Sequence, residues 1–379
     1  MKKGKFPMRV LFWSGTFWPN IGGVEVLAAK LLPALQERGY EFRVVTVLRS
    51  PDLPREACYE GIPVYRFPFS LAHNNVDQVL EIRQQIAKLK RTFAPDLVHI
   101  NAVDVSNFFH LTTVNAHLAP FLVTLHGEWQ KEADSIVKHT LQNAAWITGC
   151  SAAILLRGQQ LVPEIISRSS VIYNALRAPA LLPGPLPIRA PRMLCLGRLV
   201  FEKGFDSALT AFASIVERFP QVRLVIAGDG PARTSLAQQA AKLGLTNVVD
   251  FVGWVAPDKV PALINTATIV VIPSRCAEAF GLVALEAALM ARPVVATRIG
   301  GLHEVVAHRQ TGLLVENEDS KALAEAVAFL LREPRIAMDL GQAARQRAQE
   351  LFSFERYVEA YDTLYRRLAG RVEKDRLHE

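Results

Sequence analysis

The chain has 379 residues, more than one compact core usually contains and a length typical of two domains. Half of its residues are hydrophobic and 21% are charged, which excludes a disordered or collagen-like protein. With 43 Lys and Arg against 36 Asp and Glu, the net charge is +7, which suits anionic small molecules, lipid surfaces or nucleic acid without choosing among them.

The composition also bears on where the protein works. No apolar run approaches the ~20 residues that cross a bilayer, and Pro7 and Arg9 interrupt what would be a secretory signal. The four cysteines lie far apart with no C-x-x-C pair, which argues against a zinc site or a disulfide framework. We therefore predict a cytoplasmic protein in a reducing compartment.

Strands and helices alternate through the first half of the chain. A buried strand is predicted at 9–14, and apolar residues at helical spacing predict a helix at 24–38 that ends at Gly39. Further strands are predicted at 42–48, 97–100, 121–125, 145–148 and 171–173, with helical segments between several of them. This alternation is typical of a parallel sheet with crossover helices.

The alternation restarts after a segment rich in proline. Five prolines between 179 and 191 exclude a helix or a central strand there and predict a linker. Strands are predicted beyond it at 193–197, 223–227, 248–251, 269–272 and 294–296, with helices at 206–219 and 282–291. A further helix is predicted at 354–368, followed by a charged tail at 371–379.

These elements predict an α/β protein with two doubly wound, Rossmann-like domains. We place the first domain at 1–178, the linker at 179–191, the second domain at 192–352 and the C-terminal helix with its tail at 353–379. Because open α/β sheets bind ligands at the carboxyl ends of their strands, two such domains facing each other would form a cleft that holds the chemistry.

The segment 273–297 contains the strongest local motif. A strand ends, a loop carries Glu278, and a helix begins near Gly281 with Glu286 one turn inside it. The first amides of that helix could bind phosphate oxygens, and the two carboxylates could accept hydrogen bonds from sugar hydroxyls. Alternatively, Glu286 is a first-turn acid favoured by the helix dipole and Glu278 is a solvated loop residue.

Two cations follow the first strand of the second domain. Arg198 could form paired hydrogen bonds with a diphosphate, and Lys203 could act on it as a point charge. The alternative is a surface loop in which these side chains pair with Glu202 or Asp206.

Two weaker signals lie in the first half. Gly22 and Gly23 stand between a strand and a helix, where the missing Cβ atoms would let the backbone approach a ligand. They do not complete the G-x-G-x-x-G pattern, which disfavours an NAD enzyme. His126 follows the strand at 121–125 and could bind a sugar hydroxyl or guide a proton, or it is a satisfied loop residue.

Taken together, these motifs resemble family 4 of the retaining glycosyltransferases, which have the two-domain GT-B fold. The resemblance covers nearly the whole chain and includes the motifs at 22–25, 126–127, 197–204, 227–230 and 273–286, with Gly253 and the Gly-Gly pair at 300–301. Two departures are Ala175, where such proteins commonly have Gly, and His303, where Pro is frequent.

The resemblance implies a role for each motif. Arg198 and Lys203 would hold the diphosphate of a nucleotide-sugar donor, Glu286 the ribose and Glu278 the transferred sugar. His126 would act on the sugar from the first domain. The remaining donor-binding positions would be Gly22, Gly23, Gly253 and the four residues Phe280, Gly281, Leu282 and Val283.

The implied enzyme is a retaining hexosyltransferase. It would move a sugar from a nucleoside-diphosphate sugar to a carbohydrate or lipid-linked acceptor. Because two cations and helix amides can stabilise the departing diphosphate, we expect no obligatory metal and no cofactor. The C-terminal helix would cross back to the first domain, and domain closure would exclude water.

A possible membrane contact lies in the segment 81–93. Ile82, Ile86, Leu89 and Phe93 form an apolar stripe, and Arg83, Lys88, Lys90 and Arg91 are cations that we place on the polar face. Such a helix could lie on the inner membrane face and bring a lipid acceptor. The alternative, which we favour, is an ordinary helix with its stripe in the core.

Two other functions keep the same residues. The first is a nucleotide-sugar epimerase or hydrolase that needs no separate acceptor. The second is a non-catalytic protein that binds at a membrane surface and keeps a relict donor cleft. We do not expect nucleic-acid binding, because the cations are dispersed and no platform of aromatic and basic residues is present.

Overall fold

The computed structural model describes residues 7–20, 22–69, 76–127, 129, 134–276 and 278–376. The chain forms two compact units, one of Met1–Tyr173 with Glu355–Glu379 and one of Asn174–Phe354. Each unit contains one parallel or nearly parallel sheet with helices packed against it, so the predicted doubly wound α/β architecture is confirmed.

The N-terminal unit has an eight-stranded sheet in the order β3-β4-β2-β1-β5-β6-β7-β8. Its strands are β1 (Met8–Ser14), β2 (Tyr40–Val47), β3 (Glu56–Tyr59), β4 (Ile62–Phe67), β5 (Leu97–Ile100), β6 (Phe121–Leu125), β7 (Trp146–Gly149) and β8 (Ser169–Val171). All pairings are parallel except that of β3 with β4, a hairpin that the sequence analysis missed. The chain moves outward from β1 on one side and returns to β5 on the other.

Among the described residues of the first half, the α-helices are α1 (Gly23–Gln36), α2 (Val76–Phe93), α3 (Asn107–Leu111), α4 (Asp134–Asn143) and α5 (Ala152–Leu161). The apolar stripe of α2 is buried in the unit, which agrees with the core interpretation. The placement of Lys90 on the polar face was wrong, because Lys90 follows Ile86 by four residues and is only 1% exposed. The stripe is therefore not available to a membrane surface.

The C-terminal unit has a six-stranded, all-parallel sheet in the order β11-β10-β9-β12-β13-β14. Its strands are β9 (Arg192–Leu196), β10 (Arg223–Ala227), β11 (Val249–Gly253), β12 (Ile269–Ile272), β13 (Val294–Thr297) and β14 (Gly312–Val315). Its helices are α6 (Phe205–Arg218), α7 (Arg233–Lys242), α8 (Val260–Asn265), α9 (Leu282–Leu289), α10 (Leu302–Val305), α11 (Ser320–Arg332) and α12 (Pro334–Leu351). The central strands are buried apolar runs, as expected of a sheet covered by helices on both faces.

The proline-rich residues 179–191 contain no helix or strand. Part of this segment is fixed to the C-terminal unit, since the amide of Gly184 donates to Asn265 Oδ1 over 2.8 Å. The guanidinium of Arg292, 1% exposed, donates to the Gly184 carbonyl over 3.0 Å and to the Asn265 carbonyl over 2.6 Å. Burial lowers the pKa of Arg292 to about 10, so the buried cation keeps its charge at neutral pH and is solvated by carbonyls.

The last helix, α13 (Phe354–Arg376), extends beyond the predicted end at 368 and belongs to the N-terminal unit from Glu355 onward. It is joined to the sheet by buried hydrogen bonds: Tyr365 OH lies 2.5 Å from His99 Nδ1, and Tyr361 OH lies 3.1 Å from Thr124 Oγ1. Residues 377–379 of the predicted tail lie outside the described residues. Across the described part of the chain, we find no helix with the length and apolar character to span a bilayer.

Candidate active site

The topology of the C-terminal sheet marks a ligand-binding edge. The chain runs from β9 to β10 and β11 on one side and then returns to β12 on the other side of β9. At such a switch point the loops after the two central strands diverge and leave a crevice at the carboxyl ends. The loop after β9 carries Arg198 and Lys203, and the loop after β12 carries Glu278.

Lys203 and Glu278 meet at this edge although 75 residues separate them. The Lys203 ammonium donates to Glu278 Oε1, and Ser274 Oγ donates to the same oxygen over 2.7 Å. The two charged side chains are 28% and 17% exposed. Glu278 is therefore not a solvated loop residue, and Lys203 does not pair with Glu202 or Asp206, so both alternative interpretations were wrong.

Close backbone packing holds the loop of Glu278. The Gly301 amide donates to the Glu278 carbonyl over 2.6 Å, and a Cβ on Gly301 would lie 2.5 Å from the Ala279 carbonyl oxygen. Gly204, at φ +64°, lies still closer to the Pro273 carbonyl, where a Cβ would approach the oxygen to 2.0 Å. Glycine is needed at both positions for the loops to approach each other this closely.

Helix α9 begins directly after this loop. Its first hydrogen bonds run from the amides of Ala284 and Leu285 to the Gly281 carbonyl, so the amides of Leu282 and Val283 precede the intrahelical ladder. Phe280 before them is 2% exposed, and its ring lies edge-on against Phe352 with the centroids 5.4 Å apart. The helix start thus combines a rigid apolar anchor with amides directed out of the helix end.

Glu286 is the fifth residue of α9, so its interpretation as a first-turn acid was wrong. It is half-buried, as are Leu282 and Val283, whereas the intervening Ala284 and Leu285 are buried. Because residues three and four apart share a helix face, Glu286 lies on the same face as the first two residues of the helix. Its Cα–Cβ bond is tilted toward the helix N-terminus, the direction in which the first amides point.

Arg198 leaves the same loop as Lys203 and is exposed. The loop is fixed on both sides of it, because the Gly197 amide donates to the Ala227 carbonyl over 3.0 Å and the Leu199 amide donates to the Asp229 carbonyl over 2.9 Å. Within the described ranges no carboxylate forms an ion pair with the Arg198 guanidinium. Its charge is therefore available to a ligand.

Gly253 ends the edge strand β11, two strands away from β9. It has φ +76°, and its carbonyl accepts a hydrogen bond of 2.7 Å from the Gly228 amide. A Cβ at this position would lie 3.5 Å from Arg233 Nη1. The position is part of the same carboxyl edge, but no described contact joins it to Lys203 or Glu278.

His126 lies at the carboxyl edge of the other sheet, directly after β6. Its Nε2 donates to Asn101 Oδ1, which follows the neighbouring strand β5, over 3.1 Å. Burial lowers the pKa of His126 to about 4, so the imidazole is neutral at neutral pH. Its Nδ1 and the Asn101 side-chain nitrogen have no hydrogen-bond partner within the described chain, and Nδ1 is therefore a free acceptor.

Gly22 and Gly23 lie where α1 begins, also in the N-terminal unit. Gly22 is the N-terminal cap residue in an extended conformation, and a Cβ on it would lie 2.4 Å from Glu25 Oε2. The structure thus brings Lys203 and Glu278 into contact and groups the other donor positions of the second half in one unit. Gly22, Gly23 and His126 belong to the other unit.

The sequence analysis gave no individual role to two residues that support the site, although the motif at 273–286 includes them. Ser274 and Arg275 lie in the loop that carries Glu278, and Arg275 contacts the loop of Lys203 as well. Ser274 and Arg275 lie within four residues of Glu278, which could have indicated a supporting role. Their hydrogen-bond partners, however, can be identified only from the structure. In the described part of the chain no group of three or more His, Cys, Asp and Glu side chains could hold a metal ion.

Comparisons with known proteins identify the family and the fold of the chain. The family model for glycosyl transferases group 1 matches residues 185–347, and the model for glycosyltransferase family 4 matches residues 21–177. Glycogen synthase of Mycobacterium tuberculosis is 31% identical over 340 residues, which is 85% of this chain and 80% of that protein. A D-inositol 3-phosphate glycosyltransferase of Corynebacterium urealyticum is 36% identical over 191 residues, which is 48% of this chain and 44% of that protein.

Solved structures share the fold along nearly the full length. Sucrose-phosphate synthase from Thermosynechococcus elongatus superposes with a TM-score of 0.82 at 23% identity and covers 96% of this chain and 100% of its own. HepE of Anabaena, solved with UDP and glucose, gives a TM-score of 0.77 at 21% identity and covers 94% of this chain and 99% of its own. The sequence relatives and the two sheets together show that this chain belongs to the group 1 glycosyltransferases and has the GT-B fold.

Proposed function

We propose that the chain is a retaining hexosyltransferase that moves a sugar from a nucleoside-diphosphate sugar to a carbohydrate or lipid-linked acceptor. The observation that carries this proposal is the contact of the Lys203 ammonium with Glu278 at the switch point of the C-terminal sheet. A cation for a diphosphate and a carboxylate for a sugar thus stand side by side where helix α9 begins.

The donor diphosphate is assigned to the positively charged groups of this edge. Lys203 supplies a point charge, and the exposed Arg198 can donate two parallel hydrogen bonds to phosphate oxygens. The backbone amides of Phe280, Gly281, Leu282 and Val283 add donors at a helix start, whose dipole also favours an anion. On donor binding, Lys203 would move part of its hydrogen bonding from Glu278 to the phosphate.

The carboxylates of Glu278 and Glu286 are assigned to the binding of hydroxyl groups of the donor. Glu278 would accept hydrogen bonds from the transferred sugar and Glu286 from the ribose, since a carboxylate accepts adjacent hydroxyls well and repels phosphate. Ser274 already donates to Glu278 Oε1, which orients that carboxylate before a ligand arrives. Gly253, at the carboxyl end of β11, is assigned to the nucleotide part of the donor.

The N-terminal unit contributes through His126, Gly22 and Gly23. The neutral His126 keeps Nδ1 as an acceptor for a sugar hydroxyl, while its Nε2 is held by Asn101. Gly22 and Gly23 would bring the start of α1 close to the donor phosphate. These assignments are part of the proposal and rest on the family resemblance together with the local geometry.

In the proposed reaction, the bond from the anomeric carbon to the diphosphate oxygen breaks, and the electron pair leaves with the diphosphate. The acceptor hydroxyl oxygen forms the new bond on the same face of the sugar, and its proton passes to the departing phosphate oxygen. Cations and amides placed at the leaving group lower the barrier, because that is where negative charge develops. These groups can replace a divalent metal, so we propose that turnover needs none.

The choice of donors and acceptors to test follows from the relatives. The names of two mycobacterial relatives specify glycogen and, in a GDP-mannose-dependent enzyme, phosphatidylinositol monomannoside. HepE was solved with UDP and with UDP-glucose. A panel of UDP-, GDP- and ADP-sugars with α-glucan and phosphoinositol acceptors therefore covers the expected chemistry.

The test is product analysis with this panel. We expect nucleoside diphosphate release that depends on an acceptor, retention of the anomeric configuration by NMR, and the same rate with EDTA. Glu278→Gln should lower the rate at least tenfold. Its matched control, Glu325→Gln, alters an exposed carboxylate of the same unit that pairs with Arg218 and should leave the rate unchanged.

Three results would contradict the proposal. Donor consumption without any acceptor would favour an epimerase or hydrolase. An inverted product would exclude the retaining reaction, and loss of activity in EDTA with recovery on added Mg²⁺ would exclude metal independence.

A further inference from the structure

Arg275 lies in the loop after β12, three residues before Glu278, and joins this loop to the loop after β9. Its amide donates to the Glu202 carbonyl over 2.8 Å, and Nη1 donates to the Phe201 carbonyl over 3.1 Å. The guanidinium carbon also lies 4.4 Å from the centre of the Phe201 ring. Three contacts thus tie Arg275 to the short turn that ends at Lys203.

The same guanidinium binds the start of helix α6. Nη1 donates to Asp206 Oδ1 over 2.5 Å and Nη2 donates to Asp206 Oδ2, a paired arrangement of two parallel hydrogen bonds. Nη2 also donates to Ser207 Oγ over 3.1 Å, and Nε donates to Glu318 Oε1 over 3.2 Å. Burial is the largest influence on the pKa of Asp206 and raises it, but the hydrogen bonds and charge of Arg275, together with hydrogen bonds from the backbone amides of Asp206 and Ser207, lower the pKa overall.

All five N–H donors of Arg275 are therefore in use. An arginine side chain has one N–H on Nε and two on each terminal nitrogen, and each of the five has a partner within the protein. The side chain is only 12% exposed. Arg275 consequently has no donor left for a phosphate, in contrast to the exposed Arg198.

The two loops that Arg275 joins carry the charged pair of the site. Lys203 is the last residue of the turn at Phe201–Lys203, and the Cα of Gly204 after it packs against the Pro273 carbonyl. Asn317 also holds the backbone of Arg275, since its side-chain amide donates to the Arg275 carbonyl over 2.8 Å. Loops that carry binding residues are mobile unless a scaffold holds them, and here one arginine supplies most of the connections.

We infer that Arg275 is a positioning residue, which sets the place of Lys203 relative to Glu278 and does not touch the donor. The inference rests on the proposed function, because it needs Lys203 to bind the donor diphosphate. When the backbone holds a charge in place at a binding site before the ligand arrives, little reorganisation is needed on binding. Displacement of the Lys203 turn should therefore weaken diphosphate binding.

The experiment is a double-mutant cycle read by calorimetric binding of UDP, GDP and ADP. The nucleotide that binds the unaltered protein most tightly serves as the probe. Arg275→Lys keeps the positive charge but loses the planar fork, and Lys203→Met removes the proposed diphosphate contact while keeping the chain length. We expect each single change to weaken binding about tenfold, and Arg275→Lys to have almost no further effect in the Lys203→Met protein.

Arg223→Lys is the matched control. Arg223 forms a similar paired contact with Asp250 between β10 and β11 in the same unit, through Nε and Nη2 at 3.2 Å each. Arg223→Lys should leave nucleotide binding unchanged. Thermal unfolding of both arginine variants shows whether a weaker affinity comes from a destabilised fold or from a displaced Lys203. Should Arg275→Lys fail to fold, Asp206→Asn weakens the same clamp from the other side and replaces it in the cycle.

The outcomes separate the inference from the function on which it rests. The positioning role alone would be overturned if Arg275→Lys bound the nucleotide as tightly as the unaltered protein. It would also be overturned if Arg275→Lys lowered the affinity by the same factor in the unaltered protein and in the Lys203→Met protein. The proposed function, and the inference with it, is overturned if none of the three nucleotides binds the unaltered protein. The same holds if Lys203→Met binds the nucleotide as tightly as the unaltered protein.

Discussion

Lys90 is a buried lysine whose protonation links the stability of the N-terminal unit to pH. Its ammonium donates to the His110 carbonyl over 3.1 Å and lies 3.2 Å from His110 Nδ1. Within the described residues no carboxylate forms an ion pair with it. Burial lowers the pKa of Lys90 from its ordinary value of 10.5 to about 7, and burial also lowers the pKa of His110 well below 6.5, so His110 stays neutral over this range.

The sign of the effect follows from proton binding. Between pH 10.5 and pH 7 the unfolded chain holds a proton on Lys90 that the folded chain lacks, so lowering the pH favours unfolding. With respect to Lys90, the free energy of unfolding is therefore highest above pH 10.5, and it decreases as the pH falls toward 7. The slope reaches about 1.4 kcal/mol per pH unit.

We therefore predict that the free energy of unfolding of the unaltered protein rises relative to that of Lys90→Met between pH 7.5 and pH 9.5. Urea unfolding at several pH values measures this difference, and the comparison removes the contribution of other titrating groups. Parallel curves for the two proteins would show that Lys90 keeps its ordinary pKa in the folded state.

At the scale of secondary-structure elements, α13 is held to the N-terminal sheet by a chain of buried hydrogen bonds. His99 Nε2 lies 2.8 Å from Thr124 Oγ1, which in turn lies 2.7 Å from Thr148 Oγ1, so the chain crosses β5, β6 and β7. If Tyr365 donates to His99 Nδ1, then His99 donates from Nε2 to Thr124, and each later hydroxyl can donate onward. Burial lowers the pKa of His99 well below 6.5, which agrees with a neutral ring.

Tyr365→Phe tests the first link of this chain. The change leaves His99 Nδ1 buried without a partner, and we predict a loss of about 1–3 kcal/mol in the free energy of unfolding. Tyr59→Phe is the control, since Tyr59 is half-buried and its hydroxyl donates a long hydrogen bond of 3.3 Å to the Ala29 carbonyl. An equal loss in the two variants by urea unfolding would contradict a special role for the His99 contact.

The elements also show why some of the structure could be predicted and some could not. The strands at the centre of both sheets are continuous apolar runs, which a sequence displays directly. The hairpin of β3 and β4 lies at a sheet edge, and its four-residue strand β3 alternates between exposed and half-buried residues, so no apolar run marked it. The charge of Lys90 suggests an exposed side chain, but its position one helical turn after Ile86 places it on the buried face of α2.

At the scale of the whole molecule, sequence motifs predicted donor-binding roles for Lys203 and Glu278 but did not predict that their side chains are in contact. Lys203 and Glu278 could both be assigned to the donor from motifs, but their pairing depends on β9 and β12 being neighbours in the sheet. Strand order is set by the packing of the complete unit, and no local pattern reports it. The role of Arg275 depends on the same adjacency, which explains why it became visible only in the structure.

Binding of the donor diphosphate by the Lys203 ammonium is tested most directly by the turnover of Lys203→Met, measured together with its thermal unfolding. With the donor and acceptor found in the panel, we predict that kcat/KM falls at least a hundredfold, since a charge at the leaving group is removed. The unfolding midpoint should change by no more than a few degrees, because the Lys203–Glu278 pair is partly exposed. Turnover equal to that of the unaltered protein, with the fold intact, would contradict the claim.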